Sequence, residues 1–331
     1  MITLSILDQV PIPKGSDAYT TLEKTSELAL LAENLGYKRY WFAEHHSTKG
    51  LASTAPEIMI AHVAAITNHI KVGSGGVLLP QYSPFKVAES FRQLEALHPN
   101  RIDLGVGRSP GGTAKTRLAL TDGINKSLHE FPRQLEELSH YLTDSMPRGH
   151  EFTGIKAAPH TEQPPALWLL GMGENSALQA AELGIGYVFG HFIKPDRGKD
   201  ALNSYYQKFQ STYYNATPEA IITVFVVCGE TDEHAEELAI SQDLWLLRVE
   251  KGLDSRVPSI EEAKQHHYSS VEKERIMRNR NRMIIGSPKT VERQLRKLSH
   301  HYQTDEFMVL TNLHSFEERK KSYQRLANLF L

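Results

Sequence analysis

The stretch IDLGVGRSPGG, residues 102–112, joins an apolar run typical of a β-strand to a glycine-rich exit that carries one arginine, Arg108. Residues 71–80, KVGSGGVLLP, have the same form, because their apolar run opens onto Gly75 and Gly76. Glycine inside a strand often marks the close approach of a ligand or of another backbone. The guanidinium of Arg108 offers a rigid fork of donors that suits phosphate. Together the two stretches predict a flat, anionic ligand lying against strand ends.

Eight apolar runs of strand length alternate with helical sequence along the chain. They are residues 2–7, 39–43, 69–79, 101–106, 166–170, 186–189, 220–227 and 307–310. Strands that alternate with helices are expected to be parallel, because each crossover returns to the same end of the sheet. Eight such units in a chain of this length predict an α/β fold of the TIM (β/α)8 barrel type. Alternation alone also allows a doubly wound open sheet.

Two connections are longer than a barrel requires. A helical stretch at residues 124–142 and an irregular segment through Pro165 follow the fourth run. A charged, mostly helical region between Gly229 and Asp305 follows the seventh run. We therefore expect insertions after strands 4 and 7, and we expect residues 1–331 to form a single barrel domain.

Charge and composition narrow the class of function. The formal net charge is −2, whereas a general nucleic-acid binder needs a basic surface to neutralise phosphates. Cys228 is the only cysteine in the sequence, so the chain can form neither an intramolecular disulfide nor a multi-cysteine metal site. No segment approaches the ~18 uninterrupted apolar residues of a membrane span. We expect a cytoplasmic protein that acts on a small molecule and binds neither nucleic acid nor a membrane.

Polar residues and glycines collect at the carboxyl ends of the predicted strands, where both α/β architectures bind ligands. Adjacent residues of a strand face opposite sides, so His45 and His46 are not expected to enter one pocket together. The pair is therefore a poor metal site, and we expect no metal. The strand-end position makes one of these histidines a candidate functional residue. The full set is Asp8, Glu44, His45, His46, Gly75, Gly76, Arg108, residues 171–173 and His191.

Residues 107–111, GRSPG, match the G-x-S-x-G nucleophile elbow and follow a predicted strand, so a serine hydrolase built on Ser109 is an alternative. Pro110 removes the amide that normally serves the oxyanion hole, and no HGGG-like segment lies upstream. The same stretch fails the dinucleotide-binding G-x-G-x-x-G motif, because Pro110 stands where the third glycine should be. The hydrolase is thus the weaker interpretation, and the Rossmann interpretation fails.

Residues 169–184, LLGMGENSALQAAELG, predict a strand that ends at residues 171–173 and a helix with Ser176 in its first turn. Free backbone amides and the helix dipole would face an anion at such a helix start. A plain capped helix is the alternative interpretation. Arg108, expected at the same end of the barrel, favours a phosphate site.

The basic run KERIMRNRNR occupies residues 273–282. We interpret it as a solvated helix face rather than a nucleic-acid patch. It also fits a mobile lid over the barrel mouth, because long insertions are often functional.

Five stretches in fixed order carry a family resemblance: ILDQ at 6–9, RYWFAEHH at 39–46, residues 66–97, RIDLGVGR at 101–108 and the helix start at 172–176. Over essentially its whole length the chain resembles the bacterial-luciferase-like flavin monooxygenase family. The resemblance implies a TIM barrel that holds flavin mononucleotide (FMN) at its carboxyl mouth. In some relatives a deazaflavin takes the place of FMN.

The resemblance implies roles for individual residues. The phosphate site of the family falls on Arg108, Met172, Gly173 and Ser176. Its active-site histidine falls on His45, which we expect to hydrogen-bond to, or exchange a proton with, the bound oxygen species or the substrate.

The resemblance also implies a non-proline cis peptide beside the flavin ring, which falls at Gly75-Gly76, and two departures from the family pattern. Gly107 stands where light-emitting members have a cysteine, which argues against luminescence. Gly173 replaces a hydroxyl residue of the phosphate site, so Arg108 and Ser176 are expected to supply more of the binding.

The reaction implied by the resemblance has two components. A separate NAD(P)H-dependent flavin reductase supplies reduced FMN as a co-substrate, and its reaction with oxygen gives a C4a-hydroperoxide that oxidises a small organic substrate. A homodimer is also implied. A deazaflavin-dependent oxidoreductase, a serine hydrolase on Ser109 and a non-catalytic flavin-binding protein are the alternatives.

Overall fold

A closed ring of parallel strands forms the centre of the protein. The computed structural model describes residues 1–109 and 111–331. Within that part of the chain the strands are β1 (Thr3–Asp8), β2 (Arg39–Phe42), β3 (Lys71–Val77), β4 (Ile102–Gly107), β5 (Ala166–Gly171), β6 (Gly186–Gly190), β7 (Ala220–Cys228), β8 (Met283–Gly286) and β9 (Glu306–Leu310).

Eight of these strands close into a barrel. Neighbouring strands follow the chain from β1 to β6; β6 then pairs with β7, β7 with β9, and β9 with β1. This closure confirms the predicted TIM barrel. It also excludes the doubly wound open sheet, whose edge strands would stay apart. The barrel closes between a strand at the start of the chain and a strand near its end.

The sequence interpretation missed β8, because it expected the whole region between Gly229 and Asp305 to be helical or irregular. β8 lies outside the barrel and pairs with residues 225–228 of β7. The pairing of β7 with β6 stops at Thr223, so the end of β7 offers a free edge at this point. Four residues are too few to show strand periodicity in a sequence.

Helices surround the barrel. Within the described residues they are α1 (Ala18–Asn34), α2 (Pro56–Ile66), α3 (Pro84–Leu97), α4 (Ala114–Leu120), α5 (Phe131–Thr143), α6 (Glu174–Glu182), α7 (Gly198–Lys208), α8 (Asp232–Glu250), α9 (Ile260–Gln265), α10 (Ser270–Arg280), α11 (Pro288–Tyr302) and α12 (Phe316–Phe330). None of these helices is both long enough and apolar enough to cross a membrane.

The two insertions lie where they were predicted. The connection from β4 to β5 contains α4 and α5, and the connection from β7 to β9 contains α8 to α11 together with β8. The helix expected from residue 124 begins later, at Phe131. Proline in the first turn is a helix-start signal, and Pro132 occupies that position.

Large apolar side chains fill the barrel interior. Leu7, Trp41, Trp168, Phe225 and Met308 belong to one buried cluster. The indole rings of Trp41 and Trp168 meet edge to face, with centroids 5.7 Å apart. A second buried layer lies between the strands and the surrounding helices. The interior is therefore a packed core, and ligand space has to be sought at its carboxyl end.

Glycines on β3 and β4 make room for this core. A Cβ on Gly73 would lie 2.7 Å from Trp41 Nε1, and a Cβ on Gly75 would collide with Leu7 Cδ1. A Cβ on Gly76 would lie 2.7 Å from the carbonyl oxygen of Gly105. At Gly75 and Gly76 other protein atoms already occupy the direction in which a side chain would point. The two glycines therefore leave no cavity there, and a ligand could contact only their backbone.

Replacing Gly105 by alanine should destabilise the protein by about 1–3 kcal/mol, the usual cost of overpacking a core. Its Cβ would collide with the carbonyl oxygen of Ser74 and lie 2.9 Å from Leu170 Cδ1. Gly107 on the same strand is the matched control, because the nearest atom to its Cβ, Leu170 Cβ, is 4.0 Å away. Urea unfolding midpoints measure both effects. Equal midpoints for Gly105→Ala and Gly107→Ala would contradict this packing.

A buried ion cluster closes the amino end of the barrel. Arg39 Nη1 lies 2.6 Å from Asp103 Oδ2, and Arg39 Nε lies 2.8 Å from Glu306 Oε1. The guanidinium of Arg39 also lies over the indole of Trp168, 4.7 Å from the ring centroid. Polar side chains at this end of a TIM barrel serve stability rather than chemistry. The functional residues are therefore expected at the opposite end.

Candidate active site at the carboxyl end of the barrel

The insertion after β7 covers part of the carboxyl end. The Val257 amide donates to the carbonyl of Ile12 at 3.0 Å, and the Lys14 amide donates to the carbonyl of Val257 at 2.8 Å. The indole of Trp245 on α8 donates to the carbonyl of Ser255 at 2.8 Å. These contacts attach the insertion to the loop that follows β1, so it shields that side of the barrel mouth.

The basic run at residues 273–282 lies in α10 and the turn after it. Arg275 Nε lies 2.6 Å from Glu250 Oε2, and Arg280 Nη2 lies 2.7 Å from Asp243 Oδ2, both on α8. The run is a helix face, as expected, but these two arginines are bound by carboxylates rather than by water alone. The ion pairs hold α10 against α8.

Glu44 lies just beyond β2 with its carboxylate buried. Its Oε1 accepts hydrogen bonds from His46 Nε2 at 2.7 Å and from the hydroxyl of Tyr82 at 2.5 Å. Its Oε2 accepts from the amide of Leu78 at 2.8 Å. Burial raises the pKa of Glu44. Glu44 and His46 thus join the end of β2 to the segment after β3, and His46 is engaged within the protein.

His45 has different surroundings from His46, although both residues lie beyond the end of β2 at Phe42 and outside its strand alternation. Its ring is half-buried, and its Nε2 lies 3.4 Å from the side-chain nitrogen of Gln9. Its backbone amide donates to the carbonyl of Ser53 at 3.0 Å. Burial, with a smaller contribution from His46, lowers the pKa of His45 to about 4. His45 is therefore neutral at pH 7 and is the histidine of the pair that is free to serve a ligand.

The exit of β3 carries a backbone feature that the resemblance implies. The peptide bond between Gly75 and Gly76 is cis. The two residues lie beside β4, where Gly75 pairs with Gly105.

Arg108 directly follows the end of β4. Arg108 is exposed, and its side chain makes no hydrogen bond or ion pair with any residue that the structure describes. Ser109 is also exposed, and none of the described histidines hydrogen-bonds to it, so the geometry lends no support to a serine nucleophile. Pro110, on which the hydrolase and Rossmann interpretations were judged, lies outside the described residues.

The exit of β5 leads into α6 at the predicted position. Met172 is 41% exposed, and Gly173 is the residue that precedes the first turn of α6. Ser176 lies in that turn, but its hydroxyl donates to the carbonyl of Gly173 at 2.7 Å. The hydroxyl hydrogen of Ser176 is thus used within the protein. A ligand at this helix start would depend chiefly on backbone amides.

Strand register brings the two predicted halves of the anion site together. Gly107 on β4 pairs with Leu170 on β5, so Arg108 and Gly171 are the next residues along two neighbouring strands. Paired strands lie about 4.8 Å apart. Arg108 therefore starts beside the loop that leads into α6.

A second arginine, Arg197, lies at the same helix start and was missed by sequence reasoning. A Cβ built on Gly173 would lie 3.7 Å from Arg197 Cδ and 3.9 Å from its Nη1. Arg197 belongs to the loop between β6 and α7, in the stretch FIKPDRG. Lys194 and Arg197, in the loop after the sixth predicted strand, were the available signal, because that strand neighbours the fifth.

Two strand-end residues belong to the structural core and not to the site. Asp8 accepts a hydrogen bond from Arg319 Nη2 at 2.7 Å and another from the hydroxyl of Tyr40. His191 is hydrogen-bonded through Nδ1 to the hydroxyl of Tyr302 at 2.8 Å, and burial lowers its pKa to about 4. Both side chains have partners outside the barrel mouth.

Known proteins resemble this chain over its whole length. A family model described as luciferase-like monooxygenase matches residues 2–303. "Uncharacterized protein YceB" of Bacillus subtilis (strain 168) is 66% identical over 331 residues, which cover 100% of both chains. N-acetyl-S-alkylcysteine monooxygenase of the same strain is 35% identical over 336 residues, covering 100% of this chain and 99% of the relative. The solved structure of apo-MsnO8 is 37% identical with a TM-score of 0.90, covering 100% and 98% of the two chains.

Proposed function

Because the chain belongs to the luciferase-like monooxygenase family, we propose that it is an FMN-dependent monooxygenase with its site at the carboxyl end of the barrel. Reduced FMN supplies the two electrons and two hydrogens that convert O2 and substrate into oxygenated product and water. The observation that supports the proposal is the register of β4 on β5, by which Arg108 and Gly171, the last residue before the loop into α6, follow a pair of neighbouring strand residues.

The region between the end of β4 and the start of α6 suits the phosphate of FMN in charge and in hydrogen-bond donors. Arg108 and Arg197 supply positive charge, and the first-turn amides of α6 supply donors at the positive end of the helix dipole. Met172, Gly173 and Ser176 form the connection that the phosphate would lie on. The carboxylate of Glu174 in the same turn accepts from Ser204 Oγ at 2.9 Å, and that contact directs it to α7.

The flavin ring is assigned to the space between the exits of β3 and β4. The side-chain direction of Gly107 is open within the described residues, where the nearest atom that a Cβ would meet outside its chain neighbours is Leu170 Cβ at 4.0 Å. The cis peptide of Gly75 and Gly76 would offer its backbone to the ring, since both side-chain directions are filled. With glycine at position 107 in place of the cysteine of light-emitting relatives, the proposed reaction is oxygenation without luminescence.

His45 is the proposed catalytic residue, since its ring is neutral and has a nitrogen left for a ligand. Replacing His45 by alanine should leave FMN affinity largely unchanged while lowering the fraction of oxygen consumption coupled to product by about two- to tenfold. That range corresponds to the loss of one hydrogen bond of about 0.5–1.5 kcal/mol. Oxygen-electrode and product measurements give the coupling ratio, with His140→Ala, at a partly exposed histidine of α5, as the control. Unchanged coupling would remove His45 from the mechanism.

The proposed partners follow from the two-component reaction. A separate NAD(P)H:flavin reductase would deliver reduced FMN to a cytoplasmic enzyme that forms one domain over residues 1–331. The barrel closure between β1 and β9 supports one domain. A homodimer is proposed from the family resemblance alone.

The substrate class proposed for first trials is the thioether. A relative of 35% identity carries the name N-acetyl-S-alkylcysteine monooxygenase, and a thioether sulfur is a ready acceptor of one oxygen atom. Other small organic molecules form the comparison set in the same assay.

Anaerobic titration with reduced FMN, followed by oxygen uptake with and without substrate, tests the proposed function. Quenching of the protein's tryptophan fluorescence as reduced FMN binds, and substrate-dependent product formation, are the expected results. Preferential binding of a deazaflavin without oxygen uptake would replace the proposal by a deazaflavin-dependent oxidoreductase. Flavin binding without coupled turnover would indicate a non-catalytic flavin-binding protein, and labelling of Ser109 by a fluorophosphonate would indicate a hydrolase.

A further inference from the structure

Three polar side chains beyond the ends of neighbouring strands form a hydrogen-bonded chain that ends on His45. Asn312 follows β9, Gln9 follows β1 and His45 follows β2, and these strands are adjacent in the barrel. Asn312 Nδ2 donates to Gln9 Oε1 at 2.7 Å. Gln9 Nε2 lies 3.4 Å from His45 Nε2. Asn312 and Gln9 are 1% and 8% exposed, so water does not compete freely for these groups.

The direction of this chain determines where the imidazole proton lies. An amide nitrogen donates hydrogen bonds and does not accept them. With its oxygen bound to Asn312, Gln9 presents its nitrogen to His45, so His45 Nε2 has to accept. A neutral imidazole that accepts at one nitrogen carries its proton on the other. His45 Nδ1 has no hydrogen-bond partner among residues 1–109 and 111–331.

We propose that Asn312 and Gln9 are positioning residues that hold His45 in the Nδ1–H tautomer, so that His45 offers a ligand a hydrogen-bond donor and not a base. The consequence for catalysis rests on the proposed function. The tautomer itself is a property of the free protein. This role explains why two buried amides occupy strand ends that apolar side chains could fill.

Nitrogen NMR of the full-length protein labelled with ¹⁵N-histidine, without flavin, tests the assignment directly. Long-range ¹H–¹⁵N correlations distinguish a protonated from an unprotonated ring nitrogen, and the signals that disappear in His45→Gln identify the residue. At pH 7 we expect Nδ1 to be protonated and Nε2 to be unprotonated. The opposite tautomer, or an equal mixture of the two, would overturn the proposal.

Two variants test whether Gln9 and Asn312 set the tautomer of His45. Gln9→Glu replaces the donor facing His45 by an acceptor, so His45 Nε2 should become protonated. Asn312→Leu removes the donor that orients Gln9, so both tautomers of His45 should appear. The control is Gln134→Glu, which makes the same change at a buried glutamine of α5 and should leave the His45 signals unchanged. If Gln9→Glu fails to fold, the wild-type spectrum and Asn312→Leu still decide.

The outcomes separate this inference from the proposed function. The Nδ1–H tautomer in a protein that binds no FMN would support the positioning role of Asn312 and Gln9 and would overturn the monooxygenase proposal. The Nε2–H tautomer in a protein that couples oxygen uptake to product formation with FMN would overturn only the positioning role of Asn312 and Gln9.

Discussion

Replacing Arg108 by alanine should weaken the binding of reduced FMN by roughly ten- to a hundredfold. The loss corresponds to one charge-assisted hydrogen bond to phosphate, about 1.5–3 kcal/mol. Arg108 is exposed and its side chain makes no hydrogen bond or ion pair in the described part of the chain, so its removal breaks no such contact there. Stability should therefore stay within about 0.5 kcal/mol of the unchanged protein. Anaerobic fluorescence titration gives the dissociation constant, and urea unfolding gives the stability.

Two further arginines make the Arg108 measurement specific. Arg278 on α10 is also exposed and belongs to the insertion after β7, not to the exits of β4 and β5, so Arg278→Ala should bind FMN normally. Arg197→Ala should weaken FMN binding if the side chain beside Gly173 contacts the same phosphate. Riboflavin, which lacks the phosphate, should bind the Arg108 variant and the unchanged protein equally. Equal FMN affinity for Arg108→Ala and the unchanged protein would remove the phosphate from the region between the end of β4 and the start of α6.

The barrel could be predicted from the sequence because its strands are apolar runs separated by helical sequence at regular intervals. All eight predicted runs overlap a barrel strand, and the two long connections mark the insertions. β8 could not be predicted, since its four residues form a strand by pairing with the overhanging end of β7. β8 forms because β7 extends beyond its pairing with β6, and not because its own four residues show a strand pattern.

The candidate site was predictable where a motif combines a strand end with a helix start. Arg108 was predicted in this way to follow a strand, and Gly173 and Ser176 to lie at a helix start, and these are their positions in the fold. The direction of a side chain was harder to predict than its position along a strand. Leu7 packs in the barrel interior, so strand alternation turns Asp8 outward, and this signal was present in the sequence but not used.

Contacts between distant segments account for the other differences. Arg197 reaches α6 because the loop after β6 folds back towards it, and His45 meets Gln9 because β1 and β2 are neighbours. None of these distances can be read from spacing along a chain.

Replacing Arg319 by methionine should lower the free energy of unfolding by about 3–5 kcal/mol, because it leaves the carboxylate of Asp8 buried without its cation. Asp8 is 0% exposed and Arg319 is 4% exposed. Arg319 Nε also donates to the carbonyl of Thr311 at 2.8 Å, and the amide of Val10 donates to Asp8 Oδ1 at 2.7 Å. The pair therefore joins α12 to the ends of β1 and β9. Urea unfolding of the single variants measures its contribution.

Adding Asp8→Asn to Arg319→Met should recover part of the lost stability, because the buried charge is removed together with its partner. The double variant is thus expected to unfold at higher urea than Arg319→Met alone, and the folded fraction should bind FMN with unchanged affinity. If Asp8 and Arg319 serve only the fold, these substitutions change the stability of the protein and leave its FMN affinity unchanged. If Asp8→Asn instead weakened FMN binding tenfold without loss of stability, Asp8 would belong to the ligand site that its strand-end position first suggested. The affinity of the folded double variant therefore decides between the two roles of the residue that ends β1.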